Sequence, residues 1–269
     1  MSIRSVLIAT AVCILPAWAQ AHEFWIGAED YSVASGQPVT ARFHVGEDFS
    51  GSSFSYIPNR TARFDMIVGD TVVPVPARIG DNPAFSVPDV PEGLLTIVHE
   101  TTDSTLTYRE WAKFEKFAHH KAFTDVLRAH AERGLPREGF REDYRRFAKA
   151  LIAVGDGIGE DRAVGLRTEI VAQANPYTDD MAGGMPVQVL LEGAPKPGAQ
   201  IEVFEKYPDD SVKVTLHTAD DQGRTVIPMK AGCEYLLDSV AMVPIEPEED
   251  GDAVWLSLWA SLTFAVPQG

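Results

Sequence analysis

His22 stands directly behind Ala19-Gln20-Ala21, the A-x-A pattern at which a secretory signal is cut, with Arg4 as its basic start and Val6 to Ala17 as its apolar stretch. Cleavage after Ala21 makes His22 the first residue of the mature chain. A terminal histidine presents its α-amine and a ring nitrogen as a chelating pair, a donor set that favours borderline divalent transition metals. His22-Glu23-Phe24-Trp25 then runs straight into an expected strand, which fixes the chelate on a rigid element.

Further ligands must come from elsewhere in the chain. Of the seven histidines, His44 is the first choice as a second ligand, because it closes a strand in His44-Val-Gly-Glu-Asp48 and that strand follows the first in sequence. His99, on the strand that ends the first β region, comes next. Glu115 and His119 form an i, i+4 pair on an expected helix, a spacing that can clip a metal but that exposed helix faces also produce routinely. His217, just before an Asp220-Asp221-Gln222-Gly223 turn, is expected to bond backbone.

Composition narrows the classes of function. A formal charge of −16, which becomes −17 once Arg4 is gone, leaves no basic face for nucleic acid. The apolar stretch of the signal is too short for a permanent membrane helix, and no other run approaches the roughly 20 apolar residues that a span needs. The mature protein is therefore expected to be periplasmic or secreted. Removing the first 21 residues from 269 leaves 248 with Cys233 as the one cysteine, so no intrachain disulfide forms and stability must come from a core. Standard enzyme signatures are missing, among them G-x-S-x-G, H-E-x-x-H and the phosphate-binding glycine loop. No catalytic residue is assigned.

The elements that position these residues are mainly β. Short alternating segments at 22–27, 39–45, 62–68, 71–75 and 94–100 predict an antiparallel sandwich over residues 22–107. In Val39 to Val45 the apolar side chains share one face and Thr40, Arg42 and His44 the other. Between residues 108 and 164 the period lengthens. Trp111, Phe114, Ala118, Ala122 and Val126 predict one helix, and Phe140, Tyr144, Phe147, Ala148 and Leu151 a second, together an α-helical hairpin packed against β structure. Seven further strands over 165–269 predict a second sandwich. The expected fold is thus two immunoglobulin-like or transthyretin-like β-sandwich domains with an inserted helical hairpin.

Several motifs carry a resemblance. The start His22-Glu-Phe-Trp25, the segment Phe43-His-Val-Gly-Glu-Asp-Phe49, Glu142-x-Tyr-x-Arg146-x-x-Lys149 running to Gly155, Glu169-Ile-Val followed by Asn175-Pro-Tyr177, and Val187-Gln-Val-Leu-Leu-Glu-Gly193 are similar to family 4198 of the domains of unknown function. The likeness spans nearly all of the mature chain. Some members are described as periplasmic components of nickel or cobalt uptake, so the resemblance implies metal cargo and an inner-membrane metal transporter as partner.

Three functions fit these observations. The first is an exported protein that binds nickel, cobalt or copper through His22 for uptake or sequestration. The second is a non-catalytic module that binds a protein or glycan. The third is a copper oxygenase built on a histidine brace, which requires a second histidine beside the first and an aromatic substrate face.

Overall fold

The computed structural model describes residues 22–268, so the signal segment and its cleavage site lie outside the described residues. In the first half the strands are β1 (Glu23–Ala28), β2 (Ser32–Val33), β3 (Val39–Glu47), β4 (Ser50–Phe54), β5 (Thr61–Val68), β6 (Thr71–Pro74), β7 (Phe85–Val87), β8 (Gly93–Thr101) and β9 (Ser104–Tyr108). Helices α1 (Trp111–His120) and α2 (Thr124–Glu132) follow, and then β10 (Phe140–Val154). The second half holds β11 (Thr168–Ala172), β12 (Met185–Leu191), β13 (Ala194–Pro195), β14 (Gln200–Lys206), β15 (Val212–Thr218), β16 (Arg224–Ile227), β17 (Glu234–Pro244) and β18 (Ala253–Ala265). Among the described residues no helix is long and apolar enough to cross a membrane.

A ten-stranded sheet organises both halves. Its order is β15-β14-β17-β18-β10-β8-β5-β6, with β2 and β9 also pairing to β10. One smaller sheet, β1-β3-β4 with β7 on β3, shares a core with β5, β8 and β10 through Phe24, Ile26, Phe43, Phe85 and Ile97. The other, β11-β12-β13 with β16 on β12, shares a core with β14, β17 and β18 through Ile170, Val189, Val203, Leu237 and Leu262. Strand alternation lets β10 serve both. Ala148, Ala150, Ile152 and Val154 enter the first core, and Leu151 enters the second.

Two expectations need correction. The second helix of the hairpin does not form, because Phe140–Val154 is a strand at the centre of the large sheet, parallel to β18 and antiparallel to β8. Phe147–Val154 is buried throughout, since both faces of β10 are covered, and a strand buried on both sides shows an unbroken apolar run instead of an alternation. Lys149 interrupts that run, with its ammonium held 2.8 Å from Asp161 Oδ2. The first expected helix is also divided, by Ala122 at φ 55 between α1 and α2. Both short helices lie in 111–132, and they pack on the large sheet through Phe114, Val126, Phe140 and Trp255.

The segment 108–164 therefore joins the two sandwiches through a common sheet. First and last strands also meet, since Thr263 Oγ1 on β18 donates to the carbonyl of Ile26 on β1. The turn at residue 220 forms as its sequence suggests, with Asp220 Oδ1 accepting from the amides of Gln222 and Arg224 and with Gly223 at φ 69.

Candidate functional site

Four elements converge beside the start of β1. Glu202 on β14 is paired directly with Asp238 on β17, so both carboxylates project from one face of the large sheet. Glu23 on β1 brings a third, and one oxygen from each of the three lies within 4.8 Å of the others. Like charges so placed repel one another unless a cation intervenes. Lys121, at the break after α1, supplies it. Its Nζ lies 2.6 Å from Glu202 Oε2, 2.9 Å from Asp238 Oδ2 and 3.3 Å from Glu23 Oε1. The same ammonium stands 5.1 Å from the ring centroid of Trp259.

The ionisation of the cluster follows from its charge excess. Burial works against the ammonium of Lys121, but Asp238, Glu23 and Glu202 outweigh it and raise its pKa. Burial also opposes the charge on Glu202, yet hydrogen bonds from His120 and Lys121 hold its carboxyl down at about 2. His120 Nε2 lies 3.3 Å from Glu202 Oε1, and that contact raises the imidazole. Glu23 is pushed up to about 7, first by burial and then by Asp238. Asp238 is raised by burial as well. Lys121 and His120 thus face three carboxylates, two of which burial raises.

A cavity of about 450 Å³ opens on this cluster, between α1, the start of β1, the β3–β4 turn and β14. Tyr108, Phe117 and Phe204 give it aromatic walls, while Glu47, Asp48 and Glu110 carry negative charge on its lining. Tyr108 is fixed by donating 2.8 Å to Glu142 Oε2, a fully buried carboxyl that burial raises to about 7.

His22 stands one residue before Glu23, and its side chain lies against Glu47, which lines the cavity. Its carbonyl accepts from Arg146 Nη2 at 3.1 Å, which ties the first described residue to β10. The ring Nδ1 makes no hydrogen bond, although Glu47 Oε1 on β3 lies 3.3 Å away. Glu47, not His44, is therefore the side chain that the β1–β3 register sets against His22.

The ligand set expected from the sequence is not assembled. Trp25 pairs with His44 across β1 and β3, and side chains alternate along a strand, so His44 projects from the face of Glu23 and Trp25, opposite to that of His22. There it stacks on Trp25 with ring centroids 5.3 Å apart, and burial lowers its pKa. His99 is enclosed in the first core against Phe24 and Phe43, bonded to Thr61 Oγ1 at 3.1 Å, and burial depresses it to about 3. Glu115 and His119 lie on the exposed side of α1. His217 contacts a side chain, Thr215 Oγ1 at 3.1 Å, instead of backbone.

Lys121, Glu202 and Asp238 were not legible as a group. A signal was present in the isolated carboxylates that interrupt the apolar strands Gln200–Lys206 and Glu234–Pro244. Their pairing across β14 and β17 is a matter of register, which periodicity does not set.

A family model described as "Domain of unknown function (DUF4198)" matches residues 19–242. No curated protein matches the sequence. Among solved structures, the chain is similar to a tetra-tandem repeat in the extending region of a large adhesion protein, at 10% identity and a TM-score of 0.22, covering 90% of this chain and 49% of that one. It thus spans about half the length of that repeat structure. The D0-D1 domain of intimin aligns at 10% identity and a TM-score of 0.21, over 90% of this chain and 97% of that one. A Salmonella alpha-2-macroglobulin variant aligns at 14% identity and a TM-score of 0.24, over 90% of this chain and 15% of that one.

Proposed function

We propose, for a chain that belongs to the DUF4198 family of domains of unknown function, that the mature protein is exported and binds a divalent transition metal as cargo at its N-terminus. The ligands are the α-amine and Nδ1 of His22 with the carboxylate of Glu47. Nδ1 is the ring nitrogen that closes a chelate with the α-amine of the same residue, and imidazole, amine and carboxylate together suit nickel, cobalt or copper.

The observation that carries this function is the placement of His22 Nδ1, buried without a hydrogen bond and 3.3 Å from Glu47 Oε1. The bond from Arg146 to the His22 carbonyl holds the chelating residue against the sheet. An excess of carboxylates on the adjoining cavity lowers the local potential and favours a cation. Uptake or sequestration both require this binding step, and delivery to an inner-membrane transporter is the partner relation proposed for it.

Calorimetric titration of the chain beginning at His22 with nickel, cobalt and copper tests the proposal. His22→Ala, Glu47→Gln and an added N-terminal glycine should each weaken binding at least about tenfold, or 1.4 kcal/mol. His44→Ala should leave it unchanged. Equal affinity in the first three variants and the parent would remove the N-terminal site.

A further inference from the structure

The cavity beside the Lys121 cluster is much larger than a metal ion requires. At about 450 Å³ it lies within the roughly 300 to 1,000 Å³ typical of pockets for small organic molecules. Its lining divides into two parts. Tyr108, Phe117 and Phe204 form an aromatic wall suited to an apolar body, and Glu23 and Glu202 supply carboxylates at the buried end.

Charge decides the polarity of the ligand. Five carboxylates line the cavity, from Glu23, Glu47, Asp48, Glu110 and Glu202, against the three lysines Lys113, Lys116 and Lys121 and the imidazole of His120, which is paired with Glu202. Lys113 is already 2.9 Å from Glu110, and Lys121 is shared among Glu23, Glu202 and the deeper Asp238. An anion entering would meet this excess of negative charge, whereas an ammonium would complete its compensation.

We propose that this cavity binds a small organic cation, an ammonium or guanidinium group carried on an apolar or aromatic body, with the cationic head against Glu23 and Glu202 and the body against Phe117 and Phe204. The site shares Glu47 of its lining with the proposed N-terminal metal ligands, but its cationic head rests on Glu23 and Glu202 and requires no metal.

Phenethylamine is a suitable probe, with phenethyl alcohol as its neutral counterpart and hydrocinnamate as an anionic one. Each is titrated calorimetrically into the chain beginning at His22, with a chelator present so that metal binding plays no part. Phenethylamine should bind at least about tenfold more tightly than either counterpart. Ala112→Trp, at an exposed position of α1 on the cavity wall, should fill the space without touching the buried charges and weaken phenethylamine at least about tenfold. Glu202→Gln should weaken it too. An added N-terminal glycine, which removes the α-amine from the proposed metal chelate, should have no effect on the amine probe. Hydrocinnamate binding as tightly as phenethylamine, phenethylamine binding unaltered by Ala112→Trp, or binding of no probe would each overturn the proposal.

Discussion

Lys121 Nζ lies 2.6 Å from Glu202 Oε2, although 81 residues separate the two in sequence. The contact joins the break after α1 to β14, and through Asp238 and Glu23 it reaches β17 and β1 as well. The Lys121 side chain therefore ties the end of α1 to both β14 and β17 of the large sheet and to β1.

Replacing that side chain should be costly. Lys121→Met leaves three buried carboxylates with no ammonium between them, and loss of one partner from a buried ion pair destabilises by about 3 to 5 kcal/mol. Denaturant unfolding should show a loss in that range near neutral pH. The deficit should shrink in mild acid, where protonation relieves the repulsion. A deficit of the same size at both pH values would mean that packing of the lysine stem against Trp259, not charge, is what was lost.

His99 provides a test of pH linkage within the first core. Its imidazole is held neutral to about pH 3 by burial, against an ordinary value of 6.5. Between those limits the unfolded chain binds a proton that the folded chain does not, so the contribution of His99 is whole above 6.5 and is lost as the pH falls. Stability of the parent relative to His99→Leu should be constant above about pH 7 and should decline by about 1.4 kcal/mol per pH unit from about 6 to 4. A flat difference across that interval would show that the folded protein protonates His99 readily.

Phe114 reports on how the helices are held. It is fully buried between Tyr108, Phe140 and His130, and Trp255 Nε1 donates 3.0 Å to His130 Nδ1 behind it. Phe114→Ala should destabilise by about 3 to 5 kcal/mol, measured by thermal or denaturant unfolding. A change below about 1 kcal/mol would show that α1 is not packed as described.

Gly46 is required by the close approach of β3 to β4. A Cβ at this position would lie 2.0 Å from the Ser50 carbonyl oxygen and 2.5 Å from Gly51 Cα, both of them backbone atoms. Gly46→Ala should open the β3–β4 turn, displace Glu47 from His22 and weaken metal binding along with stability. Unchanged unfolding and unchanged affinity would contradict the tight pairing of these strands.

Much of the β framework could be read from alternation alone, because β3, β5 and β8 each begin and end within two residues of the expected segments. β10 could not. Phe140, Tyr144, Phe147, Ala148 and Leu151 recur at helical spacing with charged residues between most of them, and only the buried run from Phe147 to Val154 carries the mark of a strand covered on both faces. Of the proposed metal ligands, the sequence singled out His22 at the head of a strand. Its neighbour Glu47 was hidden by a parity of one residue in the β1–β3 register, which decides whether residue 44 or residue 47 shares the face of His22.

The junction of β1 with β18 has a bearing on synthesis. Ile26 and Thr263 are bonded across 237 positions, and β18 fills the slot between β17 and β10. A nascent chain that has emerged only as far as α2 has His22 and both helices but lacks the strand that carries Trp259 beneath Lys121. The large sheet cannot be continuous from β17 to β10 until β18 has been made, so the Lys121 cluster gains its aromatic floor late in synthesis.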